Sequence, residues 1–120
     1  MNHRFEQYSP SILVADDERV TRMLLRHLLE KDGYKVVEAN NGAQCLEAYQ
    51  QQKPDMVLLD AMMPVMDGFA CCRELMKISG NQNIPVLMIT ALEDQASVDR
   101  AFQVGATDYV TKPIHPPLLR

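Results

Sequence analysis

Short apolar runs alternate along the chain with segments whose apolar residues recur every three or four positions. The runs at residues 11–15, 35–39, 55–59, 85–90 and 107–110 predict five β-strands. Four of them are nearly continuous in apolar residues, which is typical of strands covered by helices on both faces. The second run is more polar and favours an edge position. The alternation predicts an α/β domain with a parallel sheet.

The segments between the strands predict four helices. The first carries Val20, Leu24, His27 and Leu28 at helical spacing and ends at Asp32-Gly33. The others are expected near residues 43–52, 68–79 and 94–104. The third should bury Phe69, Cys72 and Met76. Residues 116–120 leave room for barely one turn after Pro113, so we expect a truncated last helix.

Length and composition indicate one ordinary globular domain. The 120 residues are 47% hydrophobic and 23% charged, and no apolar stretch approaches a membrane span. Residues 1–10 form a polar extension without the apolar core of a signal peptide, so the domain is expected over residues 11–120, in the cytoplasm.

Charge and cysteine usage exclude two classes of site. The net charge is -4 without a basic cluster, which argues against direct nucleic-acid binding. Cys45, Cys71 and Cys72 lack metal-ligand spacing, and we expect them to be small core or surface residues. His27 is interpreted as an ordinary helix residue.

Reactive side chains follow four of the five predicted strands: Asp16 and Asp17, Asp60, Thr90, and Lys112. Ligands of open parallel sheets bind at the carboxyl ends of the strands, so these residues predict one site. Two carboxylates about 5 Å apart repel by roughly 3 kcal/mol at an effective dielectric constant near 20. A divalent cation, with Mg²⁺ as the first candidate, would offset that repulsion.

The charges of this cluster suggest phosphoryl transfer. Three aspartates, one lysine and one divalent cation sum to zero. A carboxylate beside such cations can attack phosphorus and form an acyl phosphate. Catalysis would then consist mainly of positioning and charge neutralisation.

The combined motifs resemble those of receiver domains of two-component response regulators, including the chemotaxis regulators. They are Asp16-Asp17, the segment from Asp60 to Gly68, Thr90-Ala91 and Lys112-Pro113, and the resemblance covers the chain from Ser11 onward. It implies a flavodoxin-like, three-layer fold whose five parallel strands have the order 2-1-3-4-5, an order already known for chemotaxis receivers.

The resemblance also implies the role of each carboxylate. Asp60 would accept a phosphoryl group from a histidine kinase or a phosphotransfer protein. Asp17 would bind Mg²⁺ directly and Asp16 mainly through water, with Asp60 and the backbone carbonyl of Met62 completing the protein ligands. Mn²⁺ is an alternative metal.

The remaining roles concern the phosphoryl group and the switch. Lys112 and Thr90 would each contact a phosphoryl oxygen, and Lys112-Pro113 would be the cis peptide of the family. Tyr109 would swing inward when Thr90 engages the phosphoryl group. Met62 and Leu92 beside the site are apolar and offer no group to position water, which predicts slow hydrolysis.

The resemblance implies a signalling switch, not a turnover enzyme. Its expected partners are the phosphodonor protein, a C-terminal output domain and a second copy of the chain in a phosphorylation-dependent homodimer. The ending from Lys112 to Arg120 weakly resembles receivers that precede a diguanylate cyclase. DNA-binding and kinase-linked outputs remain alternatives.

Two alternative functions fit these residues less well. A phosphatase with an aspartate nucleophile usually needs a second Asp two residues further on, where this chain has Met62. A flavodoxin-type cofactor module would need a phosphate-binding loop after the first strand, where Asp16, Asp17 and Glu18 would repel phosphate.

Overall fold

The computed structural model describes residues 9–80 and 84–113. Five strands form one sheet in which all pairings are parallel. They are β1 (Ser11–Ala15), β2 (Lys35–Ala39), β3 (Met56–Leu59), β4 (Val86–Thr90) and β5 (Asp108–Thr111). The order β2-β1-β3-β4-β5 confirms the predicted topology and the edge position of β2.

Four helices connect the strands: α1 (Arg19–Lys31), α2 (Gly42–Gln52), α3 (Gly68–Ser79) and α4 (Gln95–Gln103). Polar side chains cap three of them, because Asn41, Asp67 and Asp94 each accept the N–H three residues further on. The predicted last helix at residues 116–120, and residues 1–8 of the N-terminal extension, lie outside the described residues.

Alternate residues of the strands build a core on each face of the sheet. Leu13, Leu59 and Met88 belong to the larger cluster, which the helices α2, α3 and α4 complete. Val14 and Leu58 belong to the smaller cluster, which α1 covers. Both faces of β1 and β3 are therefore buried, which explains why their sequences are continuously apolar.

The buried face of α1 differs from the predicted one. Leu25 and Leu29 enter the core, whereas Val20 is 78% exposed and Leu24 is 40% exposed. The helix carries two overlapping apolar stripes, and both have helical spacing. Arg22 and Arg26 bond to Glu38 on β2, which fits the orientation that buries Leu25 and Leu29.

The three cysteines lie in the larger core cluster. The thiols of Cys71 and Cys72 donate to the carbonyl groups of Gly42 and Val104, both at 3.6 Å. Burial and the neighbouring Cys71 raise the pKa of Cys72 to about 11. These residues therefore act as small packing residues, in agreement with one of the two expected placements.

The helices within the described residues are all too short or too polar to cross a lipid bilayer.

Gly68, the first residue of α3, provides a prediction about packing at the carboxyl edge of the sheet. A Cβ atom there would contact the Asp60 carbonyl oxygen and lie 2.7 Å from Ala61 Cα. Alanine usually stabilises a helix by about 1 kcal/mol relative to glycine. Here we expect Gly68→Ala to lower the free energy of unfolding by about 1–3 kcal/mol, because of overpacking.

Urea denaturation of this variant, with Gln51→Ala at an exposed position of α2 as the control, measures the effect. A Gly68→Ala protein as stable as the wild type would contradict the close approach between α3 and the Asp60 loop.

The ion pairs of Glu38 with Arg22 and Arg26 predict that the stability of the fold depends on pH. Burial acts to raise the pKa of its carboxyl, but the guanidinium groups of Arg26 and Arg22 outweigh burial and hold that pKa below its usual value. A depressed pKa means that the carboxylate stabilises the fold above pH 4.5, its ordinary value, and that this stability is lost as the pH falls through the folded-state pKa.

We therefore expect Glu38→Gln to lower the free energy of unfolding by about 1 kcal/mol at pH 7, and by less below pH 4.5. Urea unfolding at both pH values measures the difference, with Glu47→Gln on α2 as the control. An equal loss at both pH values would show that the ion pairs contribute nothing.

Candidate functional site

Adjacent strands bring three carboxylates to one edge of the sheet. Asp16 follows β1 and Asp60 follows β3, and the Asp60 N–H donates to the Ala15 carbonyl at 2.9 Å. Oxygen atoms of Asp16, Asp17 and Asp60 lie within 4.8 Å of one another. The structure thus brings together the three aspartates that the sequence predicted as one cluster.

Two of these carboxylates are buried. Asp16 is 2% exposed and Asp60 is 5% exposed, while Asp17 faces solvent. One oxygen of Asp16 accepts the Glu18 N–H at 2.8 Å, and one oxygen of Asp60 accepts the Met62 N–H at 3.0 Å. These hydrogen bonds fix the orientation of both side chains. The second carboxylate oxygen of each aspartate points into a common space.

The ammonium group of Lys112 fills part of that space. Its Nζ lies 2.8 Å from Asp16 Oδ2, 2.9 Å from Glu18 Oε1 and 3.0 Å from Asp60 Oδ2. Burial alone would lower the pKa of Lys112, but the hydrogen bonds to these three carboxylates raise it above its usual value. Lys112 is therefore a permanent cation at the site, not a solvated loop charge.

One lysine does not neutralise the cluster. Burial raises the pKa of Asp16, and the charge of Asp60 adds to that effect, while Lys112 and the Glu18 N–H oppose it. A buried carboxylate whose charged form is still disfavoured gains from a further cation. Clustered carboxylate oxygens with free lone pairs suit a hard ion such as Mg²⁺, so the residues present fit the metal that the sequence implies.

Thr90 and Tyr109 lie beside this cluster and share a neighbour. Thr90 is fully buried, and its hydroxyl accepts the Leu92 N–H at 3.4 Å. The Tyr109 hydroxyl donates to the Leu92 carbonyl at 2.7 Å, with the ring half-buried against the larger core. Burial raises the pKa of Tyr109, and the charges of Asp94 and Asp60 add to the effect.

A cleft of about 290 Å³ opens over the site. Asp60, Thr90 and Lys112 line it together with Asp17 and Met62. The Lys112-Pro113 peptide is cis, in agreement with the resemblance. A carboxylate, an ammonium group and a hydroxyl thus face a space large enough for a phosphoryl group.

The loop after Asp60 carries a strained residue. The Met66 N–H donates to the Pro64 carbonyl at 2.7 Å, and Val65 between them has a φ of 70°. This combination is a γ-turn with positive φ, which a β-branched residue rarely adopts. Backbone strain of this kind tends to occur at functional sites.

Two residues at the site were not among the predicted ones. Glu18 contacts Lys112, and Arg22 donates from Nη1 to the Asp16 carbonyl at 2.7 Å while bonding Glu38. The position of Glu18 directly after Asp16-Asp17 could have indicated that it lies at the site. For Arg22, the sequence gives no indication beyond a charged residue on a predicted helix.

Comparison with known proteins identifies the family. The sequence profile of the response regulator receiver domain matches residues 12–120. The chain is 42% identical to the probable transcriptional regulator ycf27 of Guillardia theta over 105 residues, which are 88% of the chain and 40% of that protein. It is 40% identical to the chemotaxis protein CheY of Thermotoga maritima over 88% of the chain and 87% of that protein.

A solved structure agrees with these sequences. The CheX-CheY-BeF3-Mg²⁺ complex of Borrelia burgdorferi contains a chain that matches with a TM-score of 0.87 and 26% identity, over 97% of this chain and 88% of that one. The chain spans less than half the length of the ycf27 regulators that it matches. From its fold and its sequence, the chain belongs to the family of response regulator receiver domains.

Proposed function

We propose that this receiver domain takes a phosphoryl group from a phosphohistidine onto Asp60 and changes conformation in response. The observation that carries the proposal is the contact of Lys112 Nζ with Asp60 Oδ2 at 3.0 Å, inside a cleft that Thr90 also lines. A buried carboxylate can act as a nucleophile. The neighbouring cation and hydroxyl can stabilise the negative charge of the product.

The chemical step needs little from the protein beyond placement. An oxygen of Asp60 forms a bond to phosphorus as the bond from phosphorus to the donor nitrogen breaks, and the electron pair leaves with the donor imidazole. The hydrogen bond from the Met62 N–H to Asp60 Oδ1 holds the carboxylate in one orientation. Lys112 and Thr90 would then each bind an oxygen of the transferred group.

Asp16, Asp17 and Asp60 would hold the metal together with the Met62 carbonyl, and either Mg²⁺ or Mn²⁺ suits such oxygen ligands. The bound ion would supply charge neutralisation for the phosphoryl oxygens. The Borrelia burgdorferi complex, which contains Mg²⁺ and BeF3, supports this assignment.

Tyr109 would couple the site to β5, the edge strand on which it lies. Its hydroxyl bonds the carbonyl of Leu92, and the Leu92 N–H bonds Thr90, so a displacement of Thr90 toward a phosphoryl group acts on the loop that holds Tyr109. The new charge would bias an equilibrium between two conformations.

The partners and the location follow from this role. We propose a sensor histidine kinase or phosphotransfer protein as the donor, a cytoplasmic location, and an output domain or a second copy of the chain as the target. Similarity to the ycf27 regulators supports a transcriptional output. The diguanylate cyclase hypothesis rests mostly on residues 114–120, which lie outside the described part of the chain, and it stays a prediction.

The first test is phosphorylation with acetyl phosphate and Mg²⁺, followed by intact mass measurement. We expect the wild type to gain the mass of one phosphoryl group and Asp60→Asn to gain none, because the variant lacks the nucleophile. The control is Asp99→Asn, which removes an exposed carboxylate of α4. An unmodified wild type under saturating donor, or a modified Asp60→Asn, would refute the assignment.

The second test concerns the lifetime of the phosphoryl group. The apolar Met62 is 57% exposed and Leu92 borders the same space over Asp17, so neither offers a group to orient water. We expect Met62→Asn/Leu92→Gln to shorten the lifetime about tenfold, since positioning a reactant lowers the barrier.

Decay of the phosphorylated form after removal of the donor, followed by mass measurement, gives this lifetime. The control is the apolar pair Met62→Leu/Leu92→Ile, which should decay like the wild type. Equal lifetimes for the polar pair and the wild type would show that these positions do not control hydrolysis.

A further inference from the structure

The ammonium group of Lys112 is shared among three carboxylates. An ammonium group carries three N–H bonds, and Nζ has three carboxylate partners in Asp16, Glu18 and Asp60 at 2.8, 2.9 and 3.0 Å. Two of these partners are proposed metal ligands. Glu18 is not, and it is 61% exposed. A phosphoryl oxygen would therefore have to compete with these carboxylates for the ammonium group.

The structure holds Glu18 in this contact from two sides. Glu18 Oε1 accepts the Thr21 hydroxyl at 3.2 Å as well as Lys112 Nζ, and the Glu18 N–H is fixed on Asp16. Glu18 is also the N-cap residue of α1, yet its side chain makes no capping hydrogen bond. The carboxylate faces the lysine and leaves the N-terminus of the helix uncapped.

This contact draws the lysine charge away from the metal ligands. With Glu18 present, the ammonium group is shared among three carboxylates. Without it, the same charge would rest on Asp16 and Asp60 alone, where it competes with a divalent cation for their oxygens. Glu18 also adds a negative charge near the cation site. Both effects favour metal binding.

The same contact opposes an anion. A phosphoryl group on Asp60 would need Lys112 as a partner, and Glu18 already neutralises part of that charge. The Glu18 carboxylate and the phosphoryl oxygens would also repel each other across the ammonium group. Glu18 should therefore strengthen the binding of a divalent cation and weaken the binding of a phosphoryl group.

We propose that Glu18 is a positioning residue, which holds Lys112 toward α1, promotes Mg²⁺ binding and weakens retention of a phosphoryl group. This inference rests on the proposed function of Asp60. It assigns to Glu18 a control over the balance between metal binding and phosphoryl retention.

The test compares wild type and Glu18→Gln in two titrations followed by amide chemical shifts in NMR. In the first, Mg²⁺ is added alone, and we expect the variant to bind about two- to fivefold more weakly, the effect of an exposed ion pair. In the second, beryllofluoride is added at saturating Mg²⁺, and we expect the variant to bind about two- to fivefold more tightly.

Two further variants separate contact from charge. Glu93→Gln removes the same charge from the exposed loop before α4 and should leave both affinities unchanged. Glu18→Asp keeps the charge, but aspartate is shorter and a good N-cap residue, so its carboxylate should turn to the N–H groups of α1. We expect Glu18→Asp to shift both affinities in the same directions as Glu18→Gln.

Weaker Mg²⁺ binding together with tighter beryllofluoride binding in both Glu18→Gln and Glu18→Asp, with neither change in Glu93→Gln, would support the positioning role. Equal shifts in Glu18→Gln and Glu93→Gln, shifts of the same sign in both titrations, or a Glu18→Asp protein identical to the wild type would overturn it. A wild type that binds no beryllofluoride would instead overturn the proposed function, and with it the phosphoryl half of this inference.

Discussion

The ion pairs of Lys112 are the interaction on which the site depends. Asp16 and Asp60 are almost fully buried, and carboxylates this close repel by roughly 3 kcal/mol per pair at an effective dielectric constant near 20. A single ammonium group within 3.0 Å of both makes their burial tolerable. Because the pKa of Asp16 is still raised, the neutralisation is incomplete. The remaining negative charge favours a further cation, and the three aspartates could hold a metal ion.

The rest of the fold holds these groups in place. The parallel pairing of β1 with β3 sets Asp16 beside Asp60, and the close approach of Gly68 to the Asp60 backbone fixes the loop that follows. On the opposite side, Arg22 joins the Asp16 carbonyl to Glu38 on β2. The charged site is therefore supported by backbone packing on one side and by a guanidinium group on the other.

One short loop connects the site to the edge strand β5. Leu92 gives its N–H to Thr90 and its carbonyl to Tyr109, so the two hydrogen bonds join the buried threonine to an aromatic residue of β5. A group that attracts the Thr90 hydroxyl would act on this loop first. Glu18 acts at the other end of the site, because it shares Lys112 with Asp60. In the proposed function, the phosphoryl group would therefore act on two residues, Thr90 and Lys112.

The sequence by itself predicted the strands, the helices and the residues gathered at the sheet edge, and its resemblance to one family implied the strand order. It could do so because apolar periodicity is local and because the aspartate, threonine and lysine motifs resemble one family as a set. It predicted the wrong face for α1, since Val20-Leu24 and Leu25-Leu29 both have helical spacing. Only the tertiary structure decided between them, as it decided the contact of Glu18 with Lys112. These two residues are 94 positions apart, and no local pattern in the chain encodes their distance.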